Sequence, residues 1–149
     1  MNAALAYFAA LQENLTALAT AERSAVERAA GAVADSIAAG GVVHYFGSGH
    51  SQLVAIEPLL RAGGLAPVNV IADPALSPAT PRHAGAAERV SGYAAAILST
   101  ADIRAGEVMG LAGAGGSGKS TLIGILSDEL APRSGAVARV AGVRVVRDP

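Results

Sequence analysis

Apolar side chains recur at every third or fourth position near the start of the chain, a spacing that predicts two amphipathic helices. The first is predicted over residues 3–19, where one apolar stripe consists of Ala4, Phe8, Leu11, Leu15 and Leu18. The second is predicted over residues 21–39 and should bury Val26, Ala30, Val33 and Ile37. Gly40-Gly41 is expected to end it. The first stripe suits equally a helix of a second subunit and packing on the protein's own domain.

A different pattern begins after the second helix. Residues 42–46 form a continuous apolar run, which is typical of a strand buried on both faces. The turn over residues 47–51 leads into a helix predicted at 52–61, and residues 67–71 are predicted to form a second strand. This order of strand, helix and strand predicts a parallel sheet with a right-handed crossover.

The remaining pattern completes an α/β fold. Residues 72–85 contain three prolines and are expected to be an irregular loop, and a helix is predicted at 86–98. A third strand is predicted at 108–112, followed by a glycine-rich loop, a helix and a β-hairpin over residues 135–146. The predicted fold is a three-layer α/β sandwich with a short parallel, truncated Rossmann-like sheet, N-terminal helices and a C-terminal hairpin.

The glycine-rich loop fits the phosphate-binding pattern G-x-x-x-x-G-K-[ST]. Its glycines allow backbone N–H groups to surround a phosphate. Lys119 is expected to reach the outer phosphates, and Ser120 is the candidate magnesium ligand. The loop therefore predicts ATP with Mg as a cofactor, and a flexible glycine and serine linker is the alternative. The predicted cofactor-binding residues are Gly113, Gly115, Gly116, Ser117, Gly118, Lys119, Ser120 and Thr121.

Composition narrows the class of protein. The chain has 149 residues, a net charge of −1 and 15% charged residues, so a nucleic-acid partner is not expected. It contains no cysteine, which excludes disulfides and cysteine-ligated metals. No apolar run reaches the roughly 18–20 residues of a membrane span, and the N-terminus lacks a basic leader. We therefore predict a cytoplasmic protein without membrane contact in this segment.

The first strand and its turn read His44-Tyr-Phe-Gly-Ser-Gly-His-Ser51, and Gly92-Tyr93-Ala94 follows further on. In these segments the chain resembles the sugar isomerase (SIS) family of phosphosugar-binding domains. The resemblance implies that Gly47, Ser48, Gly49 and Ser51 bind a sugar phosphate. A local alternative is that Ser48 or Ser51 only caps the following helix.

The same resemblance implies catalytic roles for His50 and Glu57. His50 would protonate a ring oxygen or a carbonyl, and Glu57 would abstract a proton α to a carbonyl. Related proteins usually have two adjacent acids where this chain has Ile56-Glu57, so Glu57 as an ordinary surface acid is the alternative. His44 is expected to be a hydrogen-bonded core histidine, and His83 is expected to be exposed. Whether the chain is an enzyme is left open.

From Arg104-x-Gly-Glu-Val108 through the glycine-rich loop, the chain resembles the start of a sugar ABC-transporter ATPase. This resemblance implies two incomplete parts, an SIS-like domain at 1–105 and an ABC-ATPase-like segment at 106–149. One interpretation of Tyr93 is that its ring stacks on the adenine of ATP. The alternative is an ordinary core or surface tyrosine. ATP hydrolysis is not expected, because the signature and Walker B motifs are missing.

Three hypotheses on function remain at this point. The first is phosphosugar binding by the SIS-like part, joined to a P-loop segment. The second is an ATP-binding fragment of a sugar transporter, and the third is a non-functional fusion product. The expected ligand is a sugar phosphate or a nucleotide phosphate. A truncated sheet and the leucine stripe predict a homo-oligomer.

Overall fold

The computed structural model describes residues 2–113, which form a short parallel sheet with helices around it. The strands are β1 (Val43–Gly47), β2 (Val68–Ile71) and β3 (Val108–Ala112). Each lies within one residue of its predicted start and end, and the predicted α/β class with a three-stranded parallel sheet is confirmed. The predictions on the loop beyond Gly113, the last helix and the hairpin lie outside the described residues.

The strand order is β2-β1-β3, with β1 in the centre. Val43 pairs with Val68 on one side and with Val108 on the other. The chain therefore leaves β1, adds β2 at one edge, and returns across the sheet to add β3 at the other edge. In such an order the loops that follow the two strands at the reversal, β1 and β3, open a crevice where parallel sheets bind ligands.

The two N-terminal helices are α1 (Ala3–Ala21) and α2 (Arg23–Ala38). The predicted buried face of α2 is wrong in its first half, because Val26 and Ala30 are exposed while Val33 and Ile37 are partly buried. Only the end of the helix lies against the sheet, so helical periodicity identified the apolar face but not how far the sheet covers it.

The end of α2 agrees with its prediction. Gly40 has φ of 79° and donates to the carbonyl of Ile37 at 2.9 Å, and Gly41 donates to the carbonyl of Ser36 at 2.9 Å. This pair of bonds is a Schellman motif, in which a glycine takes the left-handed conformation that other residues avoid.

Three predicted segments were wrong in their extent. Helix α3 (Ser51–Ile56) ends well before residue 61, because Pro58 has no N–H to continue it. The expected irregular loop contains a 3-10 turn, Pro74–Leu76, and helix α4 (Pro81–Ala87). The single helix predicted at 86–98 is replaced by the end of α4 and by α5 (Tyr93–Ser99), which are separated by Gly92 at φ 81°.

The apolar core lies at the β2 side of the sheet. Ile71, Leu76 and Ile97 are buried together, and partly buried side chains such as Phe46 and Tyr93 pack against them. This core joins the end of β2, the 3-10 turn and α5. It therefore holds the segments that follow β2 against the carboxyl edge of the sheet.

A polar cluster around the buried side chains of His44 and Glu107 joins the three strands near their amino ends. Glu107 Oε2 lies 2.8 Å from His44 Nε2, and Asn69 Nδ2 lies 3.1 Å from His44 Nδ1. Since a carboxylate only accepts, Nε2 carries the proton and Nδ1 accepts from the Asn69 amide. Glu107 also accepts from the N–H groups of Val42 at 3.0 Å and Arg104 at 2.7 Å. The expectation of a hydrogen-bonded core histidine at position 44 is confirmed.

The cluster predicts how stability depends on pH. Burial alone would raise the pKa of the Glu107 carboxyl, but hydrogen bonds from Arg104, His44 and Val42 together lower it. A lowered pKa means that the folded state binds this proton less tightly than the unfolded chain does, so ionised Glu107 stabilises the fold above the unfolded pKa. The stabilisation should be lost as pH falls through the lower folded pKa.

We therefore expect the free energy of unfolding to fall more steeply between about pH 5 and pH 3 in the wild-type protein than in Glu107→Gln, whose side chain does not titrate. Urea unfolding at several pH values would measure the two slopes. Equal slopes in the two proteins would show that Glu107 is not the titrating group.

Candidate functional site

The loop that follows β1 is built around two glycines. Gly47 is buried, and a Cβ placed on it would lie 2.3 Å from the backbone oxygen of Ser51. Only a residue without a side chain lets the first turn of α3 approach the strand so closely. Gly49 has φ of +55°, a conformation that favours glycine. These glycines place Ser48 and Ser51 in a tight turn at the carboxyl edge of the central strand.

Hydrogen bonds to segments that follow β2 hold this loop in place. Gly49 donates its N–H to the carbonyl of Leu76 at 2.9 Å, and the Gln52 amide donates to the carbonyl of Asp73 at 3.4 Å. The Asp73 side chain accepts from Ala75 N–H at 2.7 Å and from the Tyr93 hydroxyl at 2.9 Å. The turn after β1 is thus held by groups from the turn after β2 and from α5.

The contacts of Tyr93 favour a structural role over an adenine platform. Its ring packs on the apolar core, and its hydroxyl donates to Asp73. The hydrogen bond to Asp73, with desolvation and the nearby negative charge, raises the pKa of the Tyr93 hydroxyl. Tyr93 therefore connects α5 to the turn after β2.

The hydroxyl of Ser48 donates to the carboxylate of Glu88, which lies just after α4. Ser48 thus points towards a second segment, and His50 at the start of α3 makes no side-chain capping bond. No sequence pattern predicted a role for Glu88 in the site. The two residues are 40 positions apart, so no local pattern could have joined them.

The predicted catalytic pair lies at the two ends of α3. His50 precedes the helix and is exposed, while Glu57 follows its last residue. Glu57 forms an ion pair with Arg61, and its side chain is 66% exposed. The helix between them ends at Ile56. Their catalytic roles stay a prediction. His83 is exposed, as expected.

The register of β3 places its following loop beside the turn after β1. Gly47 pairs with Ala112, so Gly113 leaves the sheet at the same carboxyl edge as Ser48. The remaining predicted P-loop residues, including Lys119 and the candidate metal ligand Ser120, lie outside the described residues. A shared site formed by the two loops therefore stays a prediction.

Two features that residues 2–113 lack limit the class of site. Within that range, no three His, Cys, Asp or Glu residues are grouped so that they could hold a metal ion. Across the same part of the chain, no helix is both long enough and apolar enough to cross a membrane.

A known protein family matches the part of the chain that contains the sheet and the turn after β1. A family model described as SIS domain matches residues 6–127, more than half of the chain. The matched range includes all three strands and the glycine-rich segment that follows β3. It therefore extends beyond the boundary predicted at residue 105.

Curated relatives match between 59% and 69% of the chain. A UPF0309 protein of Streptomyces griseus is 39% identical over 100 residues, which is 64% of this chain and 39% of the relative. One from Listeria innocua is 41% identical over 93 residues, covering 59% and 36%. One from Halalkalibacterium halodurans is 34% identical over 104 residues, covering 69% and 42%. The chain thus spans about two fifths of the length of these relatives.

Proposed function

Because the chain belongs to the SIS domain family, we propose that it binds a phosphorylated sugar at the carboxyl edge of its sheet. The observation that carries the proposal is the position of the Gly47–Ser51 turn. This turn follows the central strand β1, at the point where the chain crosses from the β2 side of the sheet to the β3 side. It lies next to the position at which the chain leaves β3. Parallel α/β sheets bind ligands in this crevice.

The residues of the turn suit a phosphate or a sugar hydroxyl. The Ser51 hydroxyl can donate to a phosphate oxygen, and the Ser48 hydroxyl can do so once its single O–H leaves the Glu88 carboxylate. The bond from Gly49 to Leu76 holds the turn before any ligand arrives. A turn that is already ordered loses little entropy on binding, which favours affinity.

The test is a thermal-unfolding panel on the full chain with inorganic phosphate, a hexose 6-phosphate and the unphosphorylated hexose. A phosphosugar at a hundred times its dissociation constant should stabilise the fold by about 2.7 kcal/mol. Ser48→Ala should reduce the gain, whereas Ser24→Ala, an exposed serine on α2, should not. Equal stabilisation of wild type and Ser48→Ala would contradict binding at this turn.

Glu88 provides a second measurement on the same site. Its carboxylate accepts from Ser48 and would lie beside a bound phosphate, so the two negative charges would repel. A unit charge at about 4 Å costs roughly 1 kcal/mol in water, or about fivefold in affinity. We expect Glu88→Gln to bind inorganic phosphate about fivefold more tightly at low salt, measured by calorimetry.

The control for Glu88 is Glu27→Gln, which removes an exposed acid from α2 without touching the turn. It should leave phosphate affinity unchanged. Weaker binding by Glu88→Gln would mean that Glu88 holds Ser48 in its binding position instead of competing with the anion.

The glycine-rich loop beyond Gly113 supports a second ligand, ATP with Mg. The support is its fit to the P-loop pattern and its departure from β3 at the same edge as the first turn. When Mg·ATP is added to the thermal-unfolding panel, Lys119→Ala should abolish the stabilisation that it gives. If one anion contacts both loops, Lys119→Ala and Ser48→Ala should each weaken phosphate binding. An effect of only one substitution would argue for separate sites.

An isomerase activity that uses His50 and Glu57 is a finer form of the same proposal. Proton transfer α to a carbonyl would be detected as solvent deuterium entering the sugar phosphate. His50→Gln and Glu57→Gln should each abolish the exchange if both residues are catalytic. Exchange that survives Glu57→Gln would leave Glu57 as the surface ion-pair partner of Arg61.

A further inference from the structure

Glu88 brings a hydrogen-bond acceptor to the turn after β1. The Ser48 hydroxyl donates to Oε1 of the Glu88 carboxylate. A serine hydroxyl has one proton to donate, and an ionised carboxylate has none. Together the two side chains therefore offer an incoming group only lone pairs, which accept hydrogen bonds.

The backbone after α4 holds Glu88 in this position. The Glu88 N–H donates to the carbonyl of Ala84 at 2.9 Å, and Ala84 is buried. The Glu88 side chain is on an exposed residue, so a ligand in water can reach it. Asp73, the other carboxylate bonded to this region, already accepts from two groups of the protein. Glu88 is thus the carboxylate that is placed to accept from a ligand at the turn.

Binding of an anion changes the partners of both side chains. When Ser48 donates its only proton to the anion, the Glu88 carboxylate loses its donor. If the anion carries a proton of its own, as a P–OH group does, that proton replaces the serine proton on Glu88. Such O–H···O⁻ bonds are among the stronger hydrogen bonds in proteins. A sulfate has no proton near neutral pH, so Glu88 would face a bare oxygen and repel it.

We propose that Glu88 restricts the turn to anions that carry a proton, because it accepts from the P–OH group of a phosphate and repels sulfate. The proposal rests on the proposed binding of phosphate at this turn and narrows its ligand class. Inorganic phosphate and the singly protonated phosphate monoester of a sugar should bind, whereas sulfate and the sulfate ester of the same sugar should bind poorly. One hydrogen bond to a charged group corresponds to about tenfold or more in affinity.

Glu88→Gln should remove this discrimination. The glutamine amide is uncharged, and it can accept from a P–OH group through its oxygen or donate to a bare oxygen through its nitrogen. The variant therefore ends the repulsion of both anions, but only sulfate gains a hydrogen bond that it lacked. The roughly fivefold gain expected for phosphate should be accompanied by a gain of about fiftyfold for sulfate.

The first test is calorimetric titration of the full chain with potassium phosphate and with potassium sulfate, near pH 8 and at low salt. Under these conditions both ions are mainly dianions of similar size, and they differ by the single proton on phosphate. Other charged side chains around the turn, such as Arg89, therefore act on both ions alike. Wild type should bind phosphate at least about tenfold more tightly than sulfate, and Glu88→Gln should bind the two within about twofold of each other.

Two further variants separate this role of Glu88 from the rest of the site. Ser48→Ala should weaken the binding of both anions and keep the preference for phosphate, because Glu88 remains as the acceptor. Glu27→Gln, which changes an exposed acid on α2, should keep both affinities. Because Glu88 is exposed, the circular dichroism of Glu88→Gln should match that of wild type.

Sugar esters provide a second test near pH 5.5. The second pKa of a phosphate monoester is about 6, so a hexose 6-phosphate and a hexose 6-sulfate then both carry mainly one negative charge. In thermal unfolding, wild type should be stabilised more by the phosphate ester than by the sulfate ester. Glu88→Gln should be stabilised about equally by the two.

The outcomes distinguish a failure of this inference from a failure of the proposed function. If wild type bound neither anion, both would be overturned. Equal affinities of wild type for phosphate and sulfate, or an unchanged preference in Glu88→Gln, would leave phosphate binding in place and overturn the discrimination by Glu88.

Discussion

Replacing Glu107 by alanine is expected to lower the free energy of unfolding by about 3–5 kcal/mol, because three hydrogen-bond donors would lose the acceptor they share, at about 1–3 kcal/mol each. The Glu107 carboxylate satisfies two backbone N–H groups and His44, and both side chains are almost completely buried. Alanine would leave the N–H groups of Val42 and Arg104 without this acceptor. It would also leave His44 Nε2 buried without a partner, and each such group is costly.

Urea unfolding of the full chain would measure this loss, and Glu27→Ala is the control. Glu27 pairs with Arg23 on the surface, where both side chains are more than 60% exposed. Surface pairs contribute about 0–1 kcal/mol, so this variant should resemble wild type. If Glu107→Ala lost no more stability than Glu27→Ala, the buried cluster would not hold the three strands together.

Replacing Gly47 by alanine is expected to destabilise the fold by at least about 1–3 kcal/mol, the usual cost of overpacking. The new Cβ would lie within 3 Å of three backbone atoms of Ser51 and Gln52, and backbone cannot rotate away as a side chain can. Helix α3 would have to shift away from the end of β1. Because the shift moves Ser48 and Ser51, phosphate affinity should fall in the same variant.

Gly31→Ala is the matched control for this substitution. A Cβ on Gly31, in the interior of α2, would have no heavy atom within 4 Å. Alanine there should stabilise the protein by about 0.5–1 kcal/mol, because glycine weakens a helix interior. The two glycine-to-alanine changes are thus expected to have opposite signs in thermal unfolding. The same sign for both would show that the close approach at Gly47 does not limit the fold.

Predictions from the sequence agreed with the structure where one short segment alone determines an element or its end. Runs rich in apolar residues placed β1 and β3 within one residue of their observed bounds, because strands covered by helices carry mostly apolar side chains. The Schellman end of α2 followed from Gly40-Gly41. Pro58 and Gly92, which end α3 and separate α4 from α5, were also visible in the sequence. The helical pattern around these two residues nevertheless predicted helices that run through them.

The sequence by itself determined the parallel α/β class, the glycine turn after the first strand and a polar role for the core histidine. Each of these depends on the conformational limits of residues that are neighbours along the chain. Only the tertiary structure decided that Ser48 meets Glu88, 40 positions away, and that His44 meets Glu107, 63 positions away. Among residues 2–113, it also decided that no segment buries α1 or the first half of α2. The physical reason is that periodicity specifies which face of an element is apolar, whereas the partner of that face depends on how distant segments pack.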